Sequence, residues 1–287
     1  MTSPPQVRVP VSTFLAPAMA EGRGAEFVEN LITRSYAADF AGSQKWLQEE
    51  QLHPIINFMV NLWDHLPPEK QYRRDRPHEE SFIHELRVLH SVHNAHETPE
   101  SERTISALVA GGHDLFENAR DHFQVQLPFI EIAQMLWPES KDHAVISRAW
   151  ELVTDPDRDT LAKEGANRIE RQQRIAQSLK IEGTSGILAG RAKVADKSDN
   201  FVTLLKDIAD GYLAPQPKEA EWLYNRTIAN MIVVENLVVV LPREQIDRAL
   251  THGRKLTGIL NPTKPFIAPT PMADRIKNLL RHAMGHR

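Results

Sequence analysis

The chain contains no cysteine, so it can form neither a disulfide framework nor a thiolate metal site. It also lacks a long hydrophobic run. Its most apolar stretch, "MIVVENLVVVL" at 231–241, is interrupted by Glu235 and Asn236 and is far too short to span a bilayer. That stretch reads as buried core, and no membrane association is expected. There is no Gly-X-Y period, no low-complexity tract and no self-similar repeat, which sets aside fibrous, disordered and solenoid classes. Nor does one sign of charge dominate: 34 basic against 38 acidic residues give a formal net charge of -4. No nucleic-acid partner is therefore expected, and an anionic ligand must be met by a local basic cluster such as "KQYRRDR" at 70–76. The amino terminus has a short apolar patch, but only Arg8 precedes it and Pro10 and Pro17 interrupt it, unlike a signal peptide. A cytoplasmic location is the expectation.

What is present is helical periodicity. A chain of 287 residues, 41% of them hydrophobic, is long enough to bury one large core, with or without appended helices. Between residues 22 and 66 the apolar positions Phe27, Val28, Leu31, Ile32, Trp46, Leu47, Ile55, Ile56, Met59 and Leu62 recur at helical spacing, and Pro67 and Pro68 close the region. The segment 80–97 places Phe82, Ile83, Leu86, Val88, Leu89 and Val92 on a helix-like face. A pattern over 103–119 is broken by Gly111 and Gly112, and further helices are predicted at 128–137, 143–153, 160–180, 187–210, 218–241 and 243–259. A proline-rich connector, "NPTKPFIAPTP", then leads to a last basic helix at 272–283. Strand signals are sparse, and the predicted class is all-α.

The polar residues that interrupt these patterns carry the chemical interest. His113 and Asp114 are adjacent at the start of a helical pattern, with Glu117 one turn on, so the three can face one side. A His-Asp dipeptide alone is weak, since a chain with 13 histidines can contain one by chance. On a second predicted helix, Lys193, Asp196, Lys197 and Asn200 recur three and four residues apart, gathering a carboxylate, two cations and an amide. A third segment, "SFIHELRVLHSVHNAH", supplies His84, His90, His93 and His96.

Five ordered blocks over roughly residues 70–207 resemble the hydrolase domain of the RelA/SpoT enzymes and the small stand-alone alarmone hydrolases of the HD superfamily. "QYRRDRPHEESFIHELRVL" is similar to the family's basic segment and first histidine block, and "TISALVAGGHDLFENA" to its His-Asp block. "ELVTDPDRDTL" resembles the Val-Thr-Asp segment, "RIERQQRIAQ" the basic Arg-x-x-Gln helix, and "AKVADKSDN" the Lys-Leu-Ala-Asp-Lys/Arg-x-x-Asn signature.

The resemblance implies an HD-domain helical bundle over 70–214, with amino- and carboxy-terminal helical extensions at 1–69 and 215–287. It implies metal ligands His84, His113, Asp114 and Asp196, and Glu117 with Asn118 at the catalytic position. Arg73, Arg74, Arg171, Lys193, Lys197 and Asn200 are then the expected nucleotide contacts. Two imidazoles and two carboxylates without sulfur suit a borderline or hard divalent ion such as manganese rather than structural zinc. The implied activity is 3'-pyrophosphohydrolysis of guanosine 3',5'-bis(diphosphate), with no synthetase half. The flanks are large enough to build a homo-oligomer interface.

Three departures from the family pattern leave alternatives open. Asn118 stands where the family has aspartate, and an amide can hydrogen-bond water without taking its proton. Glu85 replaces the proline after the first histidine, so that His90, His93 and His96 compete with His84 for that ligand position. Ser198 and Asp199 make the segment after Asp196-Lys197 more polar than usual. The alternatives are an HD-type hydrolase of another nucleotide, such as a deoxynucleotide or the 2'-phosphate of NADPH, and a weakly active nucleotide-binding regulatory module.

Overall fold

The computed structural model describes residues 52–72, 79, 81–96, 98–123, 127–154 and 168–263. The chain is all-α: its described elements are helices, and no strand occurs among the described residues. The helix predicted at 272–283, and most of the pattern between 22 and 66, lie outside the described residues.

The elements follow from where apolar periodicity starts and stops. Helix α1 (His53–Asp64) carries Pro54 in its first turn, where a missing N–H does no harm, and buries Ile55, Ile56, Phe58, Met59 and Leu62. A short α2 (Pro68–Gln71) follows the Pro67-Pro68 break, and α3 (Ser81–His93) buries the six apolar residues expected of it. Helices α4 (Glu100–Gly111) and α5 (His113–Phe123) are separated at Gly112, which caps the first of them. A Cβ at Gly112 would lie 2.3 Å from the ring of Phe116, so the residue that separates these helices has no room for a side chain.

Helices α6 (Phe129–Leu136) and α7 (His143–Val153) pack against each other, and α8 (Arg168–Ile181) turns into α9 (Gly183–Ala209) through Gly183 at φ +56°. That left-handed backbone value favours glycine. After α10 (Pro217–Asn236) a short 3-10 turn, Leu237–Val239, ends the stretch that reads as core in sequence, and α11 (Arg243–Leu260) closes the described chain.

The 27-residue α9 is the axis of the fold, about 40 Å long at the usual helical rise. It packs against α3, α4 and α7, and also against α8, α10 and α11. A single hydrophobic cluster runs from Leu52 through Trp150 and Ala192 to Leu256, so the carboxy-terminal helices share the core of the preceding ones. Phe116 is the hub of its aromatic part, with ring centroids 5.8 Å from Phe58, 5.1 Å from Phe129 and 5.1 Å from Trp150. No helix among the described residues is long and apolar enough to cross a membrane.

Candidate metal centre

Burial of His84, Glu85, His113, Asp196 and Glu117 inside an otherwise apolar core demands a compensating arrangement, because buried polar groups without partners are costly. Helices α3, α5 and α9 supply it jointly. His84 lies in the first turn of α3, His113 and Asp114 open α5, and Asp196 occupies the middle of α9. Asp114 also sits where the positive end of the α5 dipole favours an anion.

The side chains converge. Nε2 of His84 lies 3.4 Å from Oδ1 of Asp196 and 3.7 Å from Oδ2 of Asp114. Nε2 of His113 lies 3.8 Å from the same Asp196 oxygen and 3.7 Å from Oδ1 of Asp114. The imidazole centroids are 5.3 Å apart. One donor atom each from His84, His113 and Asp196 falls within 4.8 Å of the others, and all three residues are buried. Asp114 is the open side, its side chain 46% exposed.

These residues fit a divalent cation. The buried Nε2 of His113 has no hydrogen-bond partner, and that of His84 faces the same carboxylate oxygen. Two imidazole nitrogens and carboxylate oxygens from separate helices make an N/O donor set, without sulfur, able to hold such an ion.

Each donor is oriented from behind. Nδ1 of His113 donates to the backbone carbonyl of Ala110 at 2.8 Å, which leaves Nε2 facing the centre. Oε2 of Glu85 stands 2.9 Å from that same Nδ1 without a hydrogen bond of its own. Burial pushes the Glu85 carboxyl above its usual range, against the opposing pull of His113. Burial disfavours charge on the His113 imidazole, yet Glu85, Asp114 and Asp196 together hold its pKa well above the ordinary value.

Nδ1 of His84 lies 2.7 Å from Oδ2 of Asp199, which Arg87 grips from the other side. Burial would raise the Asp199 carboxyl, but Arg87 and His84 outweigh it and hold it below the usual carboxylate range. Asp196 is likewise held well below that range, since Lys197 and the two imidazoles overcome its burial.

The expected site residues divide into three groups. His84, His113, Asp114 and Asp196 come together, whereas His90, His93 and His96 are not in the cluster. Lys197 and Asn200, expected against substrate, are both turned onto Asp196: Nζ of Lys197 is 2.6 Å from Oδ2, and Nδ2 of Asn200 donates to Oδ1 and to the backbone carbonyl at 2.8 Å. Glu117 is buried and Asn118 half-buried, one turn beyond the ligand pair on α5. Lys193, one turn before Asp196, is 7% exposed and makes no ion pair or hydrogen bond among the described residues. Arg73 and Arg74 lie outside the described residues, and of Arg171 only the backbone in α8 is described.

Sequence reasoning missed Asp199 and Arg87 as parts of the site. The available signal was register: Asp199 is three residues after Asp196 on α9, and Arg87 three after His84 on α3.

No protein-family model, curated protein or solved structure matches this chain.

Proposed function

We propose that this chain is a metal-dependent phosphohydrolase acting on a nucleotide, in the manner of the HD-superfamily alarmone hydrolases that its sequence resembles. The observation that carries the reading is the convergence of His84, His113 and Asp196 from three helices on one buried point, with Asp114 on the open side. Lys193 supports it: its side chain is largely buried one turn from Asp196, and an ammonium there suits a phosphate oxygen.

On this reading His84, His113, Asp114 and Asp196 hold a divalent ion, most suitably manganese. When bound, such an ion acidifies water and neutralises charge on phosphate oxygens. The chain's own groups do the rest. Glu117 accepts a proton from the attacking water, an assistance worth about a hundredfold to ten-thousandfold in rate. Asn118 orients that water by hydrogen bonding and takes no proton. Lys193 steadies the phosphate under attack.

For guanosine 3',5'-bis(diphosphate), the water oxygen bonds to the phosphorus on the 3' oxygen, and the bond from that phosphorus to the 3' oxygen breaks. The proton held by Glu117 passes to the departing 3' oxygen, giving a guanosine 5'-diphosphate and pyrophosphate. Asn118, where the family has aspartate, favours the second reading, in which the same centre serves another nucleotide.

Purified protein loaded with manganese, assayed against a panel of nucleotides, separates these readings. Pyrophosphate release from the 3' position of the bis(diphosphate) supports the first. Turnover of a deoxynucleotide or of the 2'-phosphate of NADPH in its place supports the second. Tight binding across the panel with no turnover overturns both in favour of a regulatory module.

A further inference from the structure

The two imidazoles of the centre are oriented in different ways. The proton donor of His113 is aimed by a backbone carbonyl in its own chain segment, that of Ala110. The orientation of His84 depends instead on a side chain 115 residues away, Asp199.

The contact is part of a closed loop between two helices. Oδ2 of Asp199 lies 2.7 Å from Nδ1 of His84, with the side chains 10% and 2% exposed. Arg87, one turn along α3 from His84, donates through Nε to Oδ1 of Asp199 at 2.7 Å and through Nη2 to Oδ2 at 3.0 Å. The same Nη2 reaches Oε1 of Glu79 at 2.6 Å, and the side chain of Glu79 is fully buried. Helix α3 therefore grips a carboxylate of α9, and that carboxylate grips a histidine of α3. Three residues away on α9, Asp196 meets the same histidine at its other nitrogen.

A carboxylate in two-pronged contact with a guanidinium is an acceptor, so Nδ1 of His84 carries the proton and the lone pair of Nε2 faces Asp196 and Asp114. That is the tautomer a metal-binding imidazole requires, and a carboxylate behind the ring strengthens it as a donor.

We infer that Asp199 is a positioning residue of the metal centre: with Arg87 and Glu79 behind it, it fixes His84 as an Nε2 donor to a divalent cation. The inference rests on the metal-site reading above and goes further, assigning a role to a residue outside the ligand set. An interhelical salt bridge without this role would support the fold alone, and its loss would leave metal affinity unchanged.

The test is a cobalt(II) titration of the full chain and of Asp199→Ala and Asp199→Asn, followed by visible absorption. Helical circular dichroism and the thermal midpoint are recorded in chelator. With the fold retained, Asp199→Ala weakens cobalt affinity about 10- to 100-fold and alters the absorption band. Asp199→Asn, which keeps an acceptor oxygen but not the charge, falls between it and wild type. A measurement without any variant accompanies these: nitrogen-15 spectra of the histidine rings, which place the His84 proton on Nδ1 in the wild-type protein. Wild-type affinity and spectrum in Asp199→Ala overturn the inference, as does a His84 proton on Nε2, which decides the matter even if the alanine variant does not fold. Failure of wild-type protein to take up cobalt overturns the metal-site reading and the inference with it, an outcome plainly different from equal uptake by wild type and variants.

Discussion

The indole Nε1 of Trp150 donates to the backbone carbonyl of Leu108 at 3.1 Å, joining α7 to the stretch of α4 that leads directly into His113 and Asp114. Trp150 is also in ring contact with Phe116, on the same helix as that ligand pair. Helix α7 is thus tied through Trp150 both to the end of α4 and to the helix that opens with His113 and Asp114.

Removing that ring destabilises the whole fold. Trp150→Ala is expected to lower stability by about 3–5 kcal/mol, the usual loss for a large aromatic in a core. Trp150→Phe retains much of the packing but leaves the Leu108 carbonyl without its donor, for a smaller loss of about 1–3 kcal/mol. Urea unfolding of both variants measures the difference, and a phenylalanine variant as weak as the alanine one would put the stabilisation in the hydrogen bond.

Metal content follows the ligands. Protein as purified is expected to contain a divalent ion, and His113→Ala and Asp196→Ala are expected to lose most of it by elemental analysis. Equal content in all three would remove these residues from the site. Because an ion that binds only the folded chain stabilises it, by about 2.7 kcal/mol at a hundred times its dissociation constant, a chelator lowers the thermal midpoint of wild type. It has little effect on His113→Ala.

On the surface, Arg148 bridges α7 to the α8–α9 turn through Glu182 and pairs with Glu151 within its own helix. The hydrogen bond from Arg148 holds the Glu182 carboxyl below its usual range. A depressed carboxylate pKa means that ionised Glu182 favours the fold above its unfolded value, about pH 4, and that this support disappears as pH falls below it. Arg148→Ala is expected to lower the thermal midpoint slightly at pH 7. The gap to wild type closes in acid and narrows in high salt, since Arg148 is half exposed. A gap that persists in acid would mean that Arg148 acts by packing.

At the same turn two glycines separate two causes of strain. A Cβ at Gly186 would stand 1.9 Å from the backbone carbonyl oxygen of Leu179, so Gly186→Ala forces α8 and α9 apart. At Gly183 the space is open and only the φ of +56° opposes a side chain, which costs about 1–2 kcal/mol. Thermal midpoints are expected to fall further for Gly186→Ala than for Gly183→Ala, and the reverse order would show that the two helices can part without loss.

Much of the helix pattern was legible because apolar residues at helical spacing face one core. The stretch 143–153 coincides with α7, and the glycine pair at 111–112 marks the break between α4 and α5. Starts were harder: α9 begins at Gly183, earlier than its apolar pattern, because the turn glycines that open it look like loop. In the site, the adjacency of His113 and Asp114 and the spacing around Asp196 were visible as local register. Among the four histidines of 84–96 spacing alone did not choose, and it is packing of α3 on α9 that brings His84 in. The link from His84 to Asp199 crosses 115 residues and leaves no local pattern. Lys197 and Asn200 looked free for substrate because the sequence does not reveal that Asp196 already engages both.

Asp196 is the fourteenth of the 27 residues of α9, with thirteen before it and thirteen after. A rod rocking about its centre swings at both ends and hardly moves at the fulcrum. With arms of about 20 Å, a tilt of a few degrees displaces the ends by about an ångström while the carboxylate keeps its place. Helix α9 thus carries Asp196, its candidate ligand, at the point that a tilt of the helix about its centre moves least.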